Sequence, residues 1–220
     1  MNGQLKICLT GGIACGKSLL SHYLNEFGVE TVDADDIVHE LIPDPAERKR
    51  LAAEVFADPA KRRALEAKLH PLVKERIEEF LGKGRRKKEE GRSVVASAFF
   101  SCGTEKQEDE NSALLPSSLF PLPSSLFPLP PIAVIPLLFE AHWEKNFDII
   151  CCVVSERETQ ISRMMTTRGY TRAEAEARLA AQMPVAEKAA KSHYVIHNDG
   201  TPDELKEEVK KFLTWVSTLS

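Results

Sequence analysis

The sequence lacks long hydrophobic runs, and this absence bears on where the protein works. No stretch approaches the roughly 20 consecutive apolar residues that a membrane-spanning helix requires. The first residues, Met1 to Ile7, contain no basic segment followed by a long apolar one, as a secretory signal would. We therefore expect a soluble, unprocessed, cytoplasmic protein.

Cysteines are few and are not arranged in pairs. The chain has five, namely Cys8, Cys15, Cys102, Cys151 and Cys152. Their number is odd, and no two of them are separated by two residues, as the cysteines of a zinc-binding pair would be. Neither a disulfide framework nor a zinc site is supported, which agrees with a reducing compartment.

A strong net charge is also lacking. The chain carries 29 Lys and Arg against 33 Asp and Glu, a net charge of −4 at pH 7. This balance gives no general attraction to nucleic acid or to an anionic membrane. We expect a small-molecule substrate, no nucleic-acid or membrane partner, and a monomer or weak oligomer. A length of 220 residues suits one domain with one core.

Short apolar runs alternate with longer helix-like segments. The runs, which we predict to be strands, are Leu5–Leu9, Val29–Val32, Ile132–Ile135, Ile149–Val154 and Tyr194–Ile196. Buried strands that alternate with helices are typical of a parallel sheet covered on both faces. The sequence therefore predicts an α/β fold with a doubly wound, five-stranded parallel sheet.

Residues that favour helix ends recur along the chain. Helix starts are predicted at Asp58-Pro59, at the capping box Thr171 to Glu174, and at Thr201, Pro202 and Glu204. A further helix is predicted over Asp36–Ile42. Helix ends are predicted at Gly28, Gly82 and Gly169. We expect His70-Pro71 to break the amphipathic segment 60–80.

Two stretches have an amino-acid composition that is unusual for a folded domain. Residues 83–92 form a mixed charge run, which favours a solvated helix end or loop over a nucleic-acid patch. Residues 101–131 contain Pro-Ser-Ser-Leu-Phe-Pro-Leu twice in tandem, at 116–122 and 123–129. Dense proline predicts an extended, mobile insertion with polyproline character. We favour a local duplication over a docking motif for an aromatic groove.

The most informative motif is Gly11-Gly12-Ile13-Ala14-Cys15-Gly16-Lys17-Ser18, here called the phosphate loop. It matches G-x-x-x-x-G-K-S, whose backbone N–H groups and following helix bind anionic oxygens. Lys17 can reach the β- and γ-phosphates, Ser18 can ligate Mg²⁺, and Leu19 follows them at the nucleotide. The alternative is a glycine turn that caps a buried strand. The strand before the motif and the helix after it favour the phosphate loop.

Two carboxylates follow the second predicted strand. Asp33 and Asp35 stand at a strand end, where α/β sheets build their sites. Such a pair can orient an acceptor hydroxyl and assist its proton transfer. The alternative is a helix N-cap, because Asp there accepts backbone N–H bonds. The residues alone do not separate these interpretations.

Together these motifs resemble one kinase family. The phosphate loop with its preceding Leu9 and Thr10 is followed in order by Val32–Asp35, Leu69–Pro71, Ile135–Glu140 and Arg178–Gln182. This order is similar to that of the dephospho-CoA kinases. The resemblance covers residues 5–42, 54–80 and 132–215.

The resemblance implies an architecture and a reaction. It implies one domain over 1–220 with the phosphate-loop NTPase fold, a helical acceptor subdomain over 43–92 and a lid over 163–184. It also implies ATP and Mg²⁺ as cofactors. The reaction would phosphorylate the ribose 3′-hydroxyl of dephospho-CoA, which completes coenzyme A biosynthesis.

Roles for single residues follow from the same resemblance. Asp35 resembles the family's general base, and Asp33 would support it. Thr10 and Arg163 resemble polar groups around the transferred phosphoryl group, whose equatorial oxygens a planar cation can stabilise. Arg168 would belong to a lid over ATP. The alternative for each arginine is a solvated helix face.

Acceptor and adenine contacts are implied at four more positions. His70, Leu137 and Leu138 resemble residues on the acceptor side, and Asn198 resembles the adenine-side loop. The alternatives are a structural histidine, two core leucines and a turn that links a strand to a helix.

Two features depart from the family pattern. Cys15 stands where the family more often has serine, and because a helix N-terminus lowers a thiol pKa, we expect this cysteine to react with thiol reagents. The segment 42–54 is shorter than the usual acceptor segment, with Arg48 or Arg50 in place of a lost arginine. Rival functions are another phosphate-loop nucleotide or small-molecule kinase and a catalytically silent ATP-binding homologue.

Overall fold

The computed structural model describes residues 5–98 and 129–219. Cys102 and the predicted proline-rich insertion, up to position 128, lie outside these ranges. The strands are β1 Ile7–Gly11, β2 Thr31–Asp33, β3 Ile132–Val134, β4 Ile149–Val154 and β5 Tyr194–His197. The α-helices are α1 Lys17–Glu26, α2 Ala34–Leu41, α3 Pro45–Ala57, α4 Pro59–Ala98, α5 Arg157–Arg168, α6 Arg172–Ala180, α7 Val185–Ala190 and α8 Pro202–Ser217. A short 3-10 helix spans Glu144–Asn146.

All five strands join one parallel sheet in the order β2-β3-β1-β4-β5. Leu9 of the central strand β1 is in register with Val134 on one side and Cys151 on the other. The chain winds outward from β1 in both directions, so a crevice forms at its carboxyl end. The doubly wound, five-stranded parallel sheet is therefore confirmed, with strand ends within two residues of those predicted.

Hydrophobic side chains cover both faces of the sheet. Leu9 and Cys8, neighbours in β1, enter two different buried clusters because successive strand residues point to opposite faces. The covering residues are Leu20 and Leu24 of α1 and Phe212 of α8 on one face, and Ile37 of α2 and Ile77 of α4 on the other. Full burial of such a side chain is worth about 1.5–3 kcal/mol. These two layers hold the carboxyl end of β1 in place.

Most predicted helix ends are confirmed. Thr171 and Thr201 each form a capping box with the glutamate three residues later. The Asp58 carboxylate accepts a 2.8 Å hydrogen bond from the N–H of Ala60 at the start of α4. Gly28 and Gly169 follow α1 and α5 with positive φ angles of 78° and 66°. These ends follow from local backbone chemistry.

Helix α4 corrects two predictions, because it continues through both Pro71 and Gly82. Val73, Ile77 and Leu81 recur at helical spacing and are buried against the sheet. This packing outweighs the loss of one backbone hydrogen bond at proline and the cost of about 1 kcal/mol for glycine. The charge run 83–92 therefore belongs to a helix. Within the described ranges, no helix combines the length and hydrophobicity needed to cross a membrane.

Candidate active site

The phosphate loop joins β1 to α1, as the motif predicts. Gly16 has a φ of 92°, and a β-carbon there would overlap the side-chain nitrogen of Asn198. At Gly11 a β-carbon would overlap the backbone oxygen of Val153 in the neighbouring strand. Glycine is required at both positions, since a larger residue would displace the loop from the sheet.

An open cleft of about 680 Å³ lies at the carboxyl end of β1. Its lining includes most of the predicted nucleotide and catalytic residues: Ile13, Ala14, Gly16, Lys17, Ser18, Leu19, Asp33, Asp35, Arg163, Arg168 and Asn198. Pro136, Thr167, Gln182, Gly200 and Pro202 complete the lining. The structure thus places the phosphate loop, the two carboxylates, Arg163 and Arg168 around one space.

Lys17 lies against the phosphate loop. Its Nζ donates hydrogen bonds to the backbone oxygens of Gly12 at 2.8 Å and Gly11 at 3.1 Å. Burial lowers the pKa of Lys17, because taking an ammonium group out of water disfavours its charged form. An anionic ligand in the cleft would restore the stability of that charge.

The donors near Ser18 fit a magnesium ion. The Ser18 side chain is exposed, and its hydroxyl has no hydrogen-bond partner within residues 5–98 and 129–219. The carboxylates of Asp33 and Asp35 line the same cleft. Hydroxyl, carboxylate and phosphate oxygens are the hard ligands that Mg²⁺ prefers.

The carboxylates of Asp33 and Asp35 differ in their hydrogen bonding and exposure. Asp33 is the N-cap of α2, and its Oδ1 accepts a 2.8 Å hydrogen bond from the N–H of Asp35. This cap starts α2 at Ala34, two residues earlier than predicted. Burial raises the pKa of Asp33. Asp35 is exposed in the cleft, and its carboxylate makes no hydrogen bond or ion pair with another described residue. The N-cap interpretation therefore holds for Asp33, and Asp35 is available to a ligand.

Arg163 connects three parts of the site. Its guanidinium donates to the backbone oxygen of Asn198 at 2.8 Å, to Ser155 Oγ at 3.1 Å and to the backbone oxygen of Ala14 at 3.4 Å. The buried Asn198 side chain donates a 2.9 Å hydrogen bond to the backbone oxygen of Cys15. Both residues support the phosphate loop as well as line the cleft.

The predicted lid segment, residues 163–184, presents arginines on two helices. Arg168 is exposed at the end of α5, and Gly169 turns the chain toward α6. On α6, the Arg178 guanidinium stacks over the Tyr170 ring at 3.9 Å from its centroid. Arg168 therefore faces the cleft, whereas Arg178 packs within the lid.

Seven predicted site residues do not line the cleft: Gly11, Gly12 and Cys15 of the phosphate loop, and Thr10, His70, Leu137 and Leu138. Thr10 is fully buried, with its hydroxyl donating to the backbone oxygen of Pro136 at 3.4 Å. Leu138 has no exposed surface and packs in the core, whereas Leu137 is 39% exposed. The half-buried His70 ring packs against Trp143 in an edge-to-face arrangement, with the ring centroids 5.1 Å apart. Leu138 is therefore a core residue, which was the alternative interpretation of its position in the sequence.

The expectation of a reactive Cys15 is wrong. Its side chain is fully buried within a core cluster, and its Sγ accepts a 3.1 Å hydrogen bond from Gln160. Burial raises the pKa of this thiol. The helix N-terminus would favour a thiolate, but desolvation outweighs it.

Sequence reasoning missed a buried ion pair beside the site. Lys188 of α7 has no exposed surface, and its Nζ lies 2.8 Å from Glu140 Oε1 and 2.9 Å from the backbone oxygen of Pro136. The same Glu140 oxygen accepts a 3.0 Å hydrogen bond from the N–H of Met183. Lys188 belongs to a short helix whose charged residues, judged from the sequence alone, suggest exposure to solvent. No feature of the neighbouring sequence therefore predicts that this lysine is buried.

Solved structures share this fold. A crystal structure of TT1252 from Thermus thermophilus aligns with a TM-score of 0.61 at 24% identity, covering 97% of this chain and 98% of that one. A dephospho-CoA kinase from Campylobacter jejuni aligns with a TM-score of 0.54 at 20% identity, covering 97% of each chain. At these identities the likeness concerns the fold.

Sequence comparisons are more specific. A family model described as dephospho-CoA kinase matches residues 5–47 and 128–204, which include the phosphate loop, both carboxylates and the predicted lid segment. The dephospho-CoA kinase of Geobacter sulfurreducens is 33% identical over 226 aligned positions, covering 93% of this chain and 95% of the relative. The chain therefore belongs to the dephospho-CoA kinase family.

Proposed function

We propose that this cleft transfers the γ-phosphoryl group of ATP to the ribose 3′-hydroxyl of dephospho-CoA, the final step of coenzyme A biosynthesis. One observation carries the proposal: Asp35 opens onto the same cleft as Lys17 and Ser18. A phosphate-binding loop and an exposed carboxylate around one space are what transfer to a hydroxyl requires. Family membership then identifies the acceptor.

The phosphate loop and α1 bind the ATP phosphates. Backbone N–H groups and the positive end of α1 attract the anionic oxygens. Lys17 Nζ exchanges the carbonyls of Gly11 and Gly12 for phosphate oxygens, which stabilise its charge. Mg²⁺ held by Ser18 would supply charge neutralisation between the β- and γ-phosphates.

Asp35 orients the acceptor hydroxyl and takes up its proton as the new P–O bond forms. Its exposed carboxylate is free to do so, because Asp33 performs the capping of α2. Asp33 thereby fixes the first turn of α2, on which Asp35 stands. Its Oδ1 is engaged by the N–H of Asp35, which suits a supporting role better than that of the base.

Arg163 and Arg168 stabilise the transferred group from the lid side. Both line the cleft, and Arg163 is fixed by its hydrogen bonds to Ser155 and Asn198. A planar cation suits the charge spread over the equatorial phosphoryl oxygens. Thr10 acts indirectly, through its hydrogen bond to Pro136 at the cleft wall.

The acceptor binds toward the helical side of the cleft. The predicted subdomain 43–92 contains α3 and most of α4, and the predicted lid 163–184 contains the end of α5 and α6. Exposed Leu137 and half-buried His70 are the remaining candidates for acceptor contacts. One domain over 1–220, a cytoplasmic location and a monomer or weak oligomer belong to the same proposal.

An acceptor competition tests this function. ADP release is measured with ATP, Mg²⁺ and dephospho-CoA, beside AMP, CMP and pantothenate. We expect turnover with dephospho-CoA to exceed that with each other acceptor, and Lys17→Met to abolish it. A preference for AMP or CMP would indicate a different nucleotide kinase. Nucleotide binding without turnover on any acceptor would indicate a silent homologue.

A further inference from the structure

Consecutive carbonyls of the phosphate loop are each held by a side chain from outside the loop. Gln160 Nε2 donates to the backbone oxygen of Ile13 at 2.7 Å. Arg163 donates to that of Ala14, and Asn198 to that of Cys15. Gln160 is buried, does not line the cleft, and has no role in the proposed chemistry. Its hydrogen bond to Ile13 is the shortest of the three.

The Gln160 hydrogen bond sets the direction of an N–H group. In a trans peptide the carbonyl and the N–H point in opposite directions. When Gln160 fixes the Ile13 oxygen, it therefore also directs the N–H of Ala14. That N–H has no hydrogen-bond partner among the described residues, and Ala14 lines the cleft. It is thus available to a phosphate oxygen.

Ala14 is held in a strained conformation. Its φ is 58°, in the left-handed region that residues other than glycine rarely adopt. Such strain persists where surrounding contacts enforce it, and it is common at ligand sites. The peptides on both sides of Ala14 are restrained, by Gln160 at Ile13 and by Arg163 at the Ala14 oxygen.

Gly12 gives Gln160 access to the loop. A β-carbon at Gly12 would lie 2.6 Å from Gln160 Nε2 and 3.0 Å from Cys15 Sγ. Gln160 Nε2 also lies 3.1 Å from that Sγ, so its amide group fits between Gly12 and Cys15. A side chain at Gly12 would push this amide off the Ile13 oxygen. Glycine at position 12 therefore leaves the space that the Gln160 amide occupies.

We infer that Gln160 is a positioning residue for the nucleotide phosphates: it holds Ile13–Ala14 so that the loop N–H groups are directed at phosphate before ATP arrives. The inference rests on the proposed function only in taking the ligand to be a nucleoside di- or triphosphate. It is tested by ADP binding without any acceptor, so its failure and a failure of the acceptor assignment remain distinguishable.

Two substitutions separate positioning from simple packing. Gln160→Met keeps the length of the side chain and removes the donor. We expect ADP affinity, measured by calorimetry, to fall about tenfold, the effect of one buried acceptor left unpaired. Gln160→Glu keeps the shape of the side chain but presents a carboxylate at pH 8, which cannot donate to the Ile13 oxygen, so its ADP affinity should fall at least as far as that of Gln160→Met. Ser162→Ala, an exposed change on the same helix but outside the predicted lid, is the control and should bind ADP normally.

A double-mutant cycle tests the contact with Gly12 directly. Gly12→Ala should weaken ADP binding in the wild-type protein, because the new methyl group displaces the Gln160 amide. In Gln160→Ala the methyl group still meets Cys15 Sγ at 3.0 Å but no longer displaces the amide, so the double variant should lose clearly less ADP affinity than the sum of the two single losses. Additive losses, or Gln160 variants that lose thermal stability and keep full ADP affinity, would overturn the inference.

Discussion

Replacing Lys188 with methionine removes a buried cation and nearly preserves the volume of the side chain. In the native protein its Nζ pairs with Glu140 Oε1 at 2.8 Å, and Lys188 has no exposed surface. Without the ammonium group, the Glu140 carboxylate keeps the N–H of Met183 but loses its counter-charge. Its other oxygen, Oε2, is buried and has no hydrogen-bond partner among the described residues.

The expected cost follows from this geometry. Breaking a buried pair by removing one partner costs about 3–5 kcal/mol. The Glu140 side chain is 23% exposed, so water relieves part of the penalty, and we expect a value near the lower limit, about 3 kcal/mol. At about 2–4 °C per kcal/mol for a chain of this size, the Tm of Lys188→Met should fall by roughly 6–12 °C.

The matched variant is Lys188→Met combined with Glu140→Gln. A neutral glutamine oxygen can still accept from Met183, and no charge is left unpaired, so the double variant should recover most of the lost stability. Urea unfolding followed by circular dichroism measures the free energy of unfolding of all three proteins. A loss below about 1 kcal/mol in the single variant, the size of an exposed pair, would refute the reasoning. So would a double variant no more stable than the single one.

Further predictions concern the cleft. Asp35→Asn should lower kcat by about 10²–10⁴ while ATP affinity stays nearly unchanged, and Asp36→Asn, at an exposed neighbour outside the cleft, should be active; equal activity of the two variants in the ADP-release assay would remove Asp35 as base. Burial lowers the pKa of Lys17, and phosphate favours its charged form, so ATP affinity should fall as the pH is raised through that pKa. In Lys17→Arg the guanidinium stays charged, so ATP affinity should not fall over the same pH range. Burial raises the pKa of Asp33 above its ordinary 3.8, so its contribution to stability is present at low pH and is lost as pH rises through the folded-state pKa. Urea unfolding as a function of pH should show this loss in the wild type and less of it in Asp33→Asn, which keeps the capping oxygen. Mass spectrometry of the native protein after iodoacetamide treatment should find Cys15 unmodified; rapid labelling would contradict its burial.

Features that depend on local chemistry were predicted from the sequence. The five strands follow from apolar runs, and the capping boxes at Thr171 and Thr201 follow from hydrogen bonds within one turn. The phosphate loop is likewise a local arrangement of glycines between a strand and a helix. Family motifs then placed Asp35 and Arg163, which the fold brings to one cleft from distant parts of the chain.

Features that depend on packing were not predictable in this way. The helix breakers Pro71 and Gly82 are overruled because Ile77 and its neighbours bury against the sheet. The chemistry of Cys15 depends on desolvation by residues far along the chain, which its position at a helix start does not reveal. Lys188 and Gln160 meet their partners only in the folded protein, since Glu140 and Ile13 lie far from them in sequence.

The most direct test of the account is the identity of the product that the purified chain makes from ATP, Mg²⁺ and dephospho-CoA. Mass spectrometry gives the number of phosphoryl groups added, and phosphorus NMR gives the hydroxyl that carries them. The account predicts coenzyme A, with one phosphoryl group on the ribose 3′-oxygen and one ADP released for each. ADP release without coenzyme A, or ATP binding without any phosphorylated acceptor, would contradict it.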